Sequence, residues 1–206
     1  MNSVESCRAI HKALQSLPKY CEPTKDLPQK GIYFFYEQGE ICSHTDKPRI
    51  VRVGIHGQKA TLRTRLRQHY RLNREGSVFR KHLGTALLKK KGTPDDEIIE
   101  WKDGRKSPRW NNFKATEDEV DRILPSRFFF KVVAVEDGEE RKKPEEKLIA
   151  SLAACPQCRP SKGWLGQYAW SEKIRKSGLW NSNHVDSENK MKADDLERLK
   201  QLVNQT

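Results

Sequence analysis

The chain has 206 residues, which is enough to bury one sizeable core in a single domain with additions. Its 40 Lys and Arg outnumber its 28 Asp and Glu, so the formal net charge is +12, and 35% of its residues are hydrophobic. This composition excludes wholesale disorder, and no apolar run has the length of a membrane span. The N-terminus lacks a signal-peptide pattern and the five cysteines are odd in number, so we expect a cytoplasmic protein in a reducing compartment rather than a disulfide framework.

The first half of the chain predicts a helix, a hairpin and two further helices. Apolar residues recur at three- and four-residue steps from Val4 to Leu17, ahead of a proline-rich link. Aromatic and β-branched residues predict strands over Gly31–Tyr36 and Ile50–Ile55, joined by a long turn. Helices are expected over Leu62–Leu72 and Phe79–Leu88.

The second half predicts one more strand and three helices. Residues 92–125 are irregular, with a capping box at Thr116–Glu119 ahead of a short helix. Phe128–Val135 is an apolar, β-rich run typical of a central strand. Pro144 suits the first position of a helix that runs to Ala154. Met191–Val203 has the pattern of an amphipathic helix.

The positive charge is concentrated in one stretch. Residues 49–91 contain 13 Lys or Arg and a single acid, Glu75, so the rest of the chain sums to zero. A positive face of this kind suits a polyanion such as nucleic acid, because each phosphate contact releases a counterion. A solvated basic helix without a partner is the alternative that charge alone leaves open.

The arginines of the helix over Leu62–Leu72 divide into two groups. At about 100° per residue, Leu62, Leu66 and His69 share one arc, and Arg65 flanks that arc beside His69. A cation that points toward the body of a domain must pair with an anion or have a role in function. The arginines on the opposite side, with two basic residues of the next helix, suit phosphate contacts. The predicted nucleic-acid-binding set is Arg63, Arg67, Arg71, Arg74, Arg80 and Lys81.

Glu145 is a candidate for an inward-facing charge. Leu148, Ile149 and Leu152 follow it at three-, four- and seven-residue steps, so it projects from the centre of an apolar helix face. Glu146 lies to one side of that face. The helix dipole favours an ionised carboxylate in the first turn, but an inward carboxylate still needs a cation or a metal. A Glu that is partly exposed at the edge of the core is the alternative.

Five short motifs occur in one order along the chain. Tyr33 by itself would suit the core, since it alternates with apolar residues in the first predicted strand. The motifs are Gly31-Ile32-Tyr33, Val51-Arg52-Val53-Gly54, Leu62-Arg63-Thr64-Arg65-Leu66-Arg67-Gln68-His69, Glu145-Glu146-Lys147-Leu148-Ile149 and Trp180-Asn181. Each is weak alone, but in this order, over roughly Pro28 to His184, they resemble the catalytic module of the GIY-YIG nuclease superfamily.

The resemblance and the predicted elements together imply an α/β (α+β) fold, with a small, mainly antiparallel three-stranded sheet flanked by helices. We expect a helical extension over residues 1–27 and a GIY-YIG-like catalytic domain over 28–185, with insertions at 92–126 and 155–179. A C-terminal helix is expected over 186–206. The terminal helices either support the core or form a dimer contact, so both a monomer and a homodimer stay open.

The resemblance also implies a metal-dependent DNA endonuclease. Tyr33 would be the general base, and Glu145 would hold one Mg²⁺ or Mn²⁺ on the scissile phosphate. Arg65 would offset the charge that develops on the phosphoryl oxygens. His69 would hydrogen-bond within the site. RNA stays open as the substrate, because a basic face contacts phosphates without identifying the sugar.

Two positions depart from the family pattern. Arg52 stands where the second family tyrosine is expected, and the hairpin loop before it is longer than the family's usual loop. Our hypothesis is that Arg52 faces Tyr33 and favours its phenolate form. The alternative is that Arg52 contacts a phosphate and the chain is a nucleic-acid-binding module with weak or lost catalysis. Asn181 would position the metal or the phosphate, with Asn183 as a substitute, beyond a tryptophan-rich insertion that either contacts DNA or packs.

Two further patterns have weaker implications. Cys155-Pro156-Gln157-Cys158 has half the spacing of a zinc site, to which Cys42 and His44 could contribute, although two unpaired thiols are the default expectation. His82, in a stretch that mixes aromatic and basic residues, is predicted to be a surface or phosphate contact.

Overall fold

A three-stranded antiparallel sheet organises the protein, for which the computed structural model describes residues 2–71, 73–106 and 110–206. The strands are β1 (Gly31–Cys42), β2 (Lys47–Gly54) and β3 (Phe128–Ala134), in the order β2-β1-β3. The described α-helices are α1 (Ser3–Ala13), α2 (Leu62–Arg71), α3 (Val78–Lys90), α4 (Asp95–Asp103), α5 (Lys114–Arg127), α6 (Gly138–Ala153), α7 (Glu172–Ser177) and α8 (Ala193–Asn204). The predicted α+β fold with a three-stranded antiparallel sheet is confirmed.

The hairpin is longer than predicted and its turn is shorter. β1 and β2 stay paired up to Cys42 and Lys47, so only residues 43–46 form the turn. The register shifts twice along this pair, and Gly39 has a φ of 85° within the irregular part. The prediction of a long loop is therefore wrong, because turn-forming residues here lie inside an irregular strand pair.

β3 lies at an edge of the sheet, which corrects the prediction of a central strand. β1 pairs with both other strands and is the central one. The backbone of Tyr20 caps part of the outer edge of β3, where it exchanges hydrogen bonds of 2.9 and 2.8 Å with Phe130. The continuous apolar run of β3 arises because helices cover both faces of the sheet.

The two faces of β1 pack against different helices. Ile32 and Phe34 face a core that includes α1, α6 and α8, whereas Tyr33 and Phe35 face a core that includes α2, α3 and α5. The terminal helices α1 and α8 therefore contribute to the same core. Among the described residues, no helix combines the length and the apolar composition that crossing a bilayer requires.

Helix α6 begins earlier than its proline suggests. Asp137 caps it by accepting a hydrogen bond of 2.8 Å from the backbone N–H of Glu140. Pro144 lies inside the helix, where its missing N–H removes one backbone hydrogen bond. Glu145 is consequently two turns into α6, beyond the reach of the helix N-terminus. The prediction that the helix dipole keeps Glu145 ionised is wrong. Similarly, α5 begins at Lys114, ahead of the predicted capping box.

Candidate active site

A cleft of about 210 Å³ lies where β1, β2, α2 and α6 meet the chain segment that follows α7. It brings together five of the six predicted catalytic residues, and the sixth, His69, lies directly behind Tyr33. The residues that line the cleft are Tyr33, Arg52, Ile55, Arg65, Val78, Glu145, Ile149, Asn181, Ser182, Asn183 and His184.

Tyr33 lies on β1 directly opposite Gly54 of β2. A Cβ atom at Gly54 would lie 2.4 Å from both Cζ and Oη of Tyr33. Only glycine at this position leaves room for the tyrosine ring. The side chain of Tyr33 is buried, and its hydroxyl lies 2.9 Å from Nε2 of His69.

His69 connects Tyr33 to the start of α3. Its Nδ1 lies 2.7 Å from Oγ of Ser77, the N-cap residue of α3. The same Oγ accepts the backbone N–H of Arg80 at 3.2 Å, so the Ser77 hydroxyl hydrogen is available for Nδ1. Both ring nitrogens of His69 are therefore engaged, one by the Tyr33 hydroxyl and the other by the Ser77 hydroxyl.

The environment keeps His69 neutral. Burial lowers the pKa of His69 well below its ordinary value, and the nearby charges of Arg52, Arg65 and Arg80 lower it further. A neutral His69 therefore meets Tyr33 through a hydrogen bond and not as a cation.

Arg52 lies on the same face of the sheet as Tyr33. It is opposite Phe35 in the β1–β2 register, and it lines the same cleft as Tyr33, with which it interacts electrostatically. The side chain is buried, donates a hydrogen bond to the carbonyl of Trp180, and lies 5.1 Å from the ring centroid of Phe79. Burial lowers the pKa of Arg52, and its contacts with Tyr33 act in the opposite direction. A fixed cation therefore lies beside the phenolic oxygen.

Glu145 reaches the cleft from α6. Burial raises the pKa of Glu145, and electrostatic interactions with Arg52, His184 and Arg65, with a hydrogen bond from the Ile55 backbone, act against that rise. Its neighbour Glu146 accepts a hydrogen bond of 2.7 Å from the hydroxyl of Ser187 and does not line the cleft. Of the two adjacent carboxylates, only Glu145 faces the cleft.

Arg65 is held at the rim of the cleft by α2 and the loop after it. Its Nη1 donates to Oε1 of Gln68 at 2.8 Å and to the carbonyl of Gly76 at 3.2 Å. These bonds fix one edge of the guanidinium beside the cleft that Tyr33 and Glu145 also line.

Asn181 is tied to the sheet. Its Oδ1 accepts the backbone N–H of Val53 at 3.0 Å, and its Nδ2 donates to the carbonyl of Val53 at 2.9 Å. Both ends of the amide are thus used to hold the segment against β2. Asn181 thereby holds the wall of the cleft, while its predicted role toward the metal or the phosphate stays a prediction. Asn183, the predicted substitute, is exposed at the cleft.

The comparison with protein families agrees with this geometry. A family model described as the GIY-YIG domain matches residues 5–206. The chain belongs to the GIY-YIG family. Members of this family are generally endonucleases and use divalent metal ions. No curated protein matches the chain, and no solved structure does.

The donor set of the cleft suits the divalent cation that GIY-YIG enzymes use. Glu145 offers a carboxylate, and Ser182 and Asn183 add oxygen atoms to the lining. Hard cations such as Mg²⁺ prefer oxygen ligands and typically bind through one or two carboxylates together with water and substrate phosphate. The residues present fit such an ion.

Two residues of the site were missed by sequence reasoning. Ser77 could have been recognised as the N-cap before Val78, although nothing local indicates that it meets His69. His184 lines the cleft with a φ of 63°, a left-handed backbone conformation that is rare for a non-glycine residue. No pattern in the sequence indicates that conformation.

The basic residues predicted to contact nucleic acid fall into different environments. Arg67 and Arg71 are exposed on α2, while Arg63 and Lys81 are half-buried. Lys81 lies 3.3 Å from a carboxylate oxygen of Glu75. Four of the six predicted residues therefore stay at or near the surface.

Arg74 and Arg80 are buried, so the prediction that they contact nucleic acid is wrong. Both approach Glu117 of α5, at 3.2 and 2.8 Å respectively, and each side chain is 1% exposed. Arg80 also lies 2.6 Å from Asp121. The reason is that α2 ends at Arg71 and the chain then turns toward α5.

His82 and the tryptophan-rich insertion also pack rather than lie open. His82 is half-buried, and burial lowers its pKa to about 4, so it is neutral near pH 7, while its predicted surface or phosphate contact stays a prediction. Trp164 and Trp180 are buried, and the Nε1–H groups of both donate to Oε2 of Glu37, at 3.0 and 3.1 Å. The alternatives for this insertion were contact with DNA and packing in the core, and these two tryptophans pack in the core.

Proposed function

We propose that this GIY-YIG protein is a metal-dependent endonuclease that hydrolyses phosphodiester bonds of DNA. The observation that carries the proposal is that Tyr33, Arg65 and Glu145 line one cleft although they come from three separate elements. A base, a cation and a carboxylate around one space are what phosphodiester hydrolysis requires.

Tyr33 acts as the general base. Nε2 of His69 hydrogen-bonds to its oxygen and Arg52 lines the same cleft, so the negative charge left by proton loss is stabilised. The phenolate then takes a proton from the water molecule that attacks phosphorus. In this proposal Arg52 substitutes for the second family tyrosine by favouring the base rather than by contacting the phosphate.

Arg65 and Glu145 act on the phosphate. Arg65 places positive charge beside the phosphoryl oxygens, where charge develops in the transition state. Glu145 would hold Mg²⁺ or Mn²⁺, and the ion would supply Lewis-acid stabilisation of the charge that develops on the phosphate. Asn183 and His184 line the remaining wall and position the substrate.

The exposed cations of α2 guide the nucleic acid to the cleft. Arg67 and Arg71 lie on the same helix as Arg65, so a phosphate backbone that follows α2 reaches the cleft. These contacts set affinity and orientation without selecting a base sequence.

A plasmid-nicking assay with a titration of Mg²⁺ and of Mn²⁺ tests the proposal. We expect metal-dependent nicking that is lost in Glu145→Gln and kept in Glu146→Gln, which is the matched neighbour outside the cleft. Binding of DNA without cleavage in either metal would instead identify a nucleic-acid-binding module. Cleavage of RNA but not of DNA would overturn the substrate assignment and leave the mechanism in place.

A further inference from the structure

Four of the five cysteines converge at one place, although they are far apart in the sequence. Cys7 comes from α1, Cys42 from the end of β1, and Cys155 and Cys158 from the turn after α6. All four are buried and have free thiols, whereas Cys21 is exposed. The four belong to the core on the α1 side of the sheet, opposite the face that carries Tyr33.

Metal-ligating atoms in this cluster lie close together. The atoms of Cys7, His44 and Cys155 lie within 4.8 Å of one another. The atoms of Cys7, His11 and Cys158 form a second such group. Cys7 belongs to both groups and marks the centre of the cluster.

Cys42 completes the set of thiols. It is fully buried in the same core cluster as Cys7, Cys155 and Cys158, and it interacts electrostatically with Cys7 and Cys158. The backbone N–H of Cys158 also points at Sγ of Cys155, at 3.4 Å. In a Cys-x-x-Cys turn this N–H···S contact stabilises negative charge on the sulfur, as a metal-bound thiolate requires.

The two histidines are not needed as ligands. Nε2 of His11 accepts the backbone N–H of Ile50 at 3.1 Å, so its hydrogen is on Nδ1 and is donated to the carbonyl of Cys7 at 2.9 Å. His11 therefore has no free lone pair. Nε2 of His44 lies 3.2 Å from Sγ of Cys155, where an N–H donor would orient and stabilise a thiolate.

We propose that Cys7, Cys42, Cys155 and Cys158 hold a structural Zn²⁺ ion in a closed tetrahedral site. Four thiolates are the ligand set of structural zinc, and their softness discriminates against the hard Mg²⁺ of the catalytic cleft. Each thiol loses its proton when the ion binds. The ion joins α1, the hairpin and the turn after α6, so it fastens the N-terminal helix to the catalytic fold independently of nuclease activity.

Metal analysis of the reduced wild-type protein tests the site. We expect one zinc per chain, released by a thiol-modifying reagent. Replacing any one of the four buried cysteines by serine removes the zinc, and Cys21→Ser, the matched exposed cysteine, retains it. His44→Ala retains zinc with affinity lowered about 10- to 100-fold, as for a lost outer-sphere partner.

A second measurement uses the native chain, because a buried Cys→Ser variant can fail to fold. Wild-type protein stripped of zinc is titrated with Co²⁺, and visible absorption of tetrahedral cobalt thiolate together with a raised melting temperature supports the site. Wild-type protein without stoichiometric zinc after growth with added zinc, iron in its place, or a disulfide among the four cysteines would overturn the proposal. Loss of metal in His44→Ala with retention in Cys42→Ser would overturn the ligand set.

Discussion

The phenolic oxygen of Tyr33 and Nε2 of His69 are joined by a hydrogen bond of 2.9 Å that links β1 to α2. The bond lies behind the cleft, so in the proposed mechanism His69 would act on Tyr33 from the side away from the substrate. Ser77 holds the other side of the imidazole, which makes a three-residue relay from the α3 N-cap to the proposed base.

Removing the Ser77 hydroxyl is expected to lower turnover more than substrate affinity. Ser77→Ala deletes the donor to Nδ1 of His69, a bond worth about 0.5–1.5 kcal/mol, so kcat is expected to fall by up to about tenfold. The variant also loses a helix cap, which costs about 1 kcal/mol of stability. Asn2→Ala removes the cap of α1 far from the cleft and is the control. Equal kcat values for the two variants would contradict the relay.

Substituting Gly54 is expected to displace the base. The Cβ of Gly54→Ala would overlap the end of the Tyr33 ring, and a shift of about 1 Å in a catalytic group can cost about 100-fold in rate. Gly57→Ala is the matched control, since its Cβ meets nothing within 4 Å. Nicking rates of the two purified variants measure the effect. Full activity of Gly54→Ala would show that the ring position is not critical.

Arg52 is expected to determine the pH below which activity falls. Burial raises the pKa of Glu145 and the charge of Arg52 acts against that rise, so removing Arg52 raises it further. Because the proposed chemistry needs the Glu145 carboxylate, the acid limb of the pH–rate profile moves to higher pH in Arg52→Ala. Arg67→Ala, at an exposed cation of α2, is the control. An acid limb that stays in place would refute this coupling.

The exposed arginines of α2 are expected to govern salt dependence. Each phosphate contact contributes a slope of about −0.9 to log K against log salt, so the double variant Arg67→Ala/Arg71→Ala reduces the slope by about 1.8. Binding is measured with Glu145→Gln as the parent, so that the DNA stays intact. Lys200→Ala on α8 is the control and should leave the slope unchanged. If both variants behave alike, α2 is not the nucleic-acid surface.

The free energy of unfolding is expected to depend on pH through the buried carboxylate of Glu37. Burial raises its pKa above the ordinary value of 4.5, against opposing contacts with Trp180, Arg127 and Trp164. The folded state therefore holds the proton more tightly than the unfolded chain, and its stability declines as the pH rises through the folded-state pKa.

Denaturant unfolding from about pH 4 to about pH 8 measures this effect. Relative to Glu37→Gln, the wild-type free energy of unfolding should fall across that range, because the amide keeps an acceptor for the tryptophans without a buried charge. Glu188→Gln, at an exposed carboxylate, is the control. A constant difference between wild type and Glu37→Gln would rule out the effect.

Local patterns in the sequence predicted much of the site. The strand around Tyr33 and the apolar steps after Glu145 depend on nearby residues, so periodicity placed both residues, and the family resemblance marked them as site residues. The side of α2 that carries Arg65 follows from helical geometry in the same way. The position of each of these residues follows from the pattern of its own helix or strand.

The remainder depends on partners that are distant in the sequence. Arg74 and Arg80 are buried because Glu117, from an insertion, pairs with both. The side chain of Asn181 hydrogen-bonds to the backbone of Val53, 128 residues away in the sequence. Neither helical phase nor composition encodes such encounters. For the same reason the sequence suggested that Cys42 could join Cys155 and Cys158 but gave no sign that Cys7 of α1 lies with them.

The attachment of Trp180 and Asn181 to β2 has a consequence for the timing of activity during synthesis. Tyr33 leaves the ribosome early, whereas the segment that closes the cleft and covers the edge of β2 emerges only after most of the chain has been made. Until then the proposed base has no completed pocket around it. In the proposed nuclease the cleft is therefore complete only after this segment has been made, and the same segment also covers part of the outer edge of β2 against pairing with other chains.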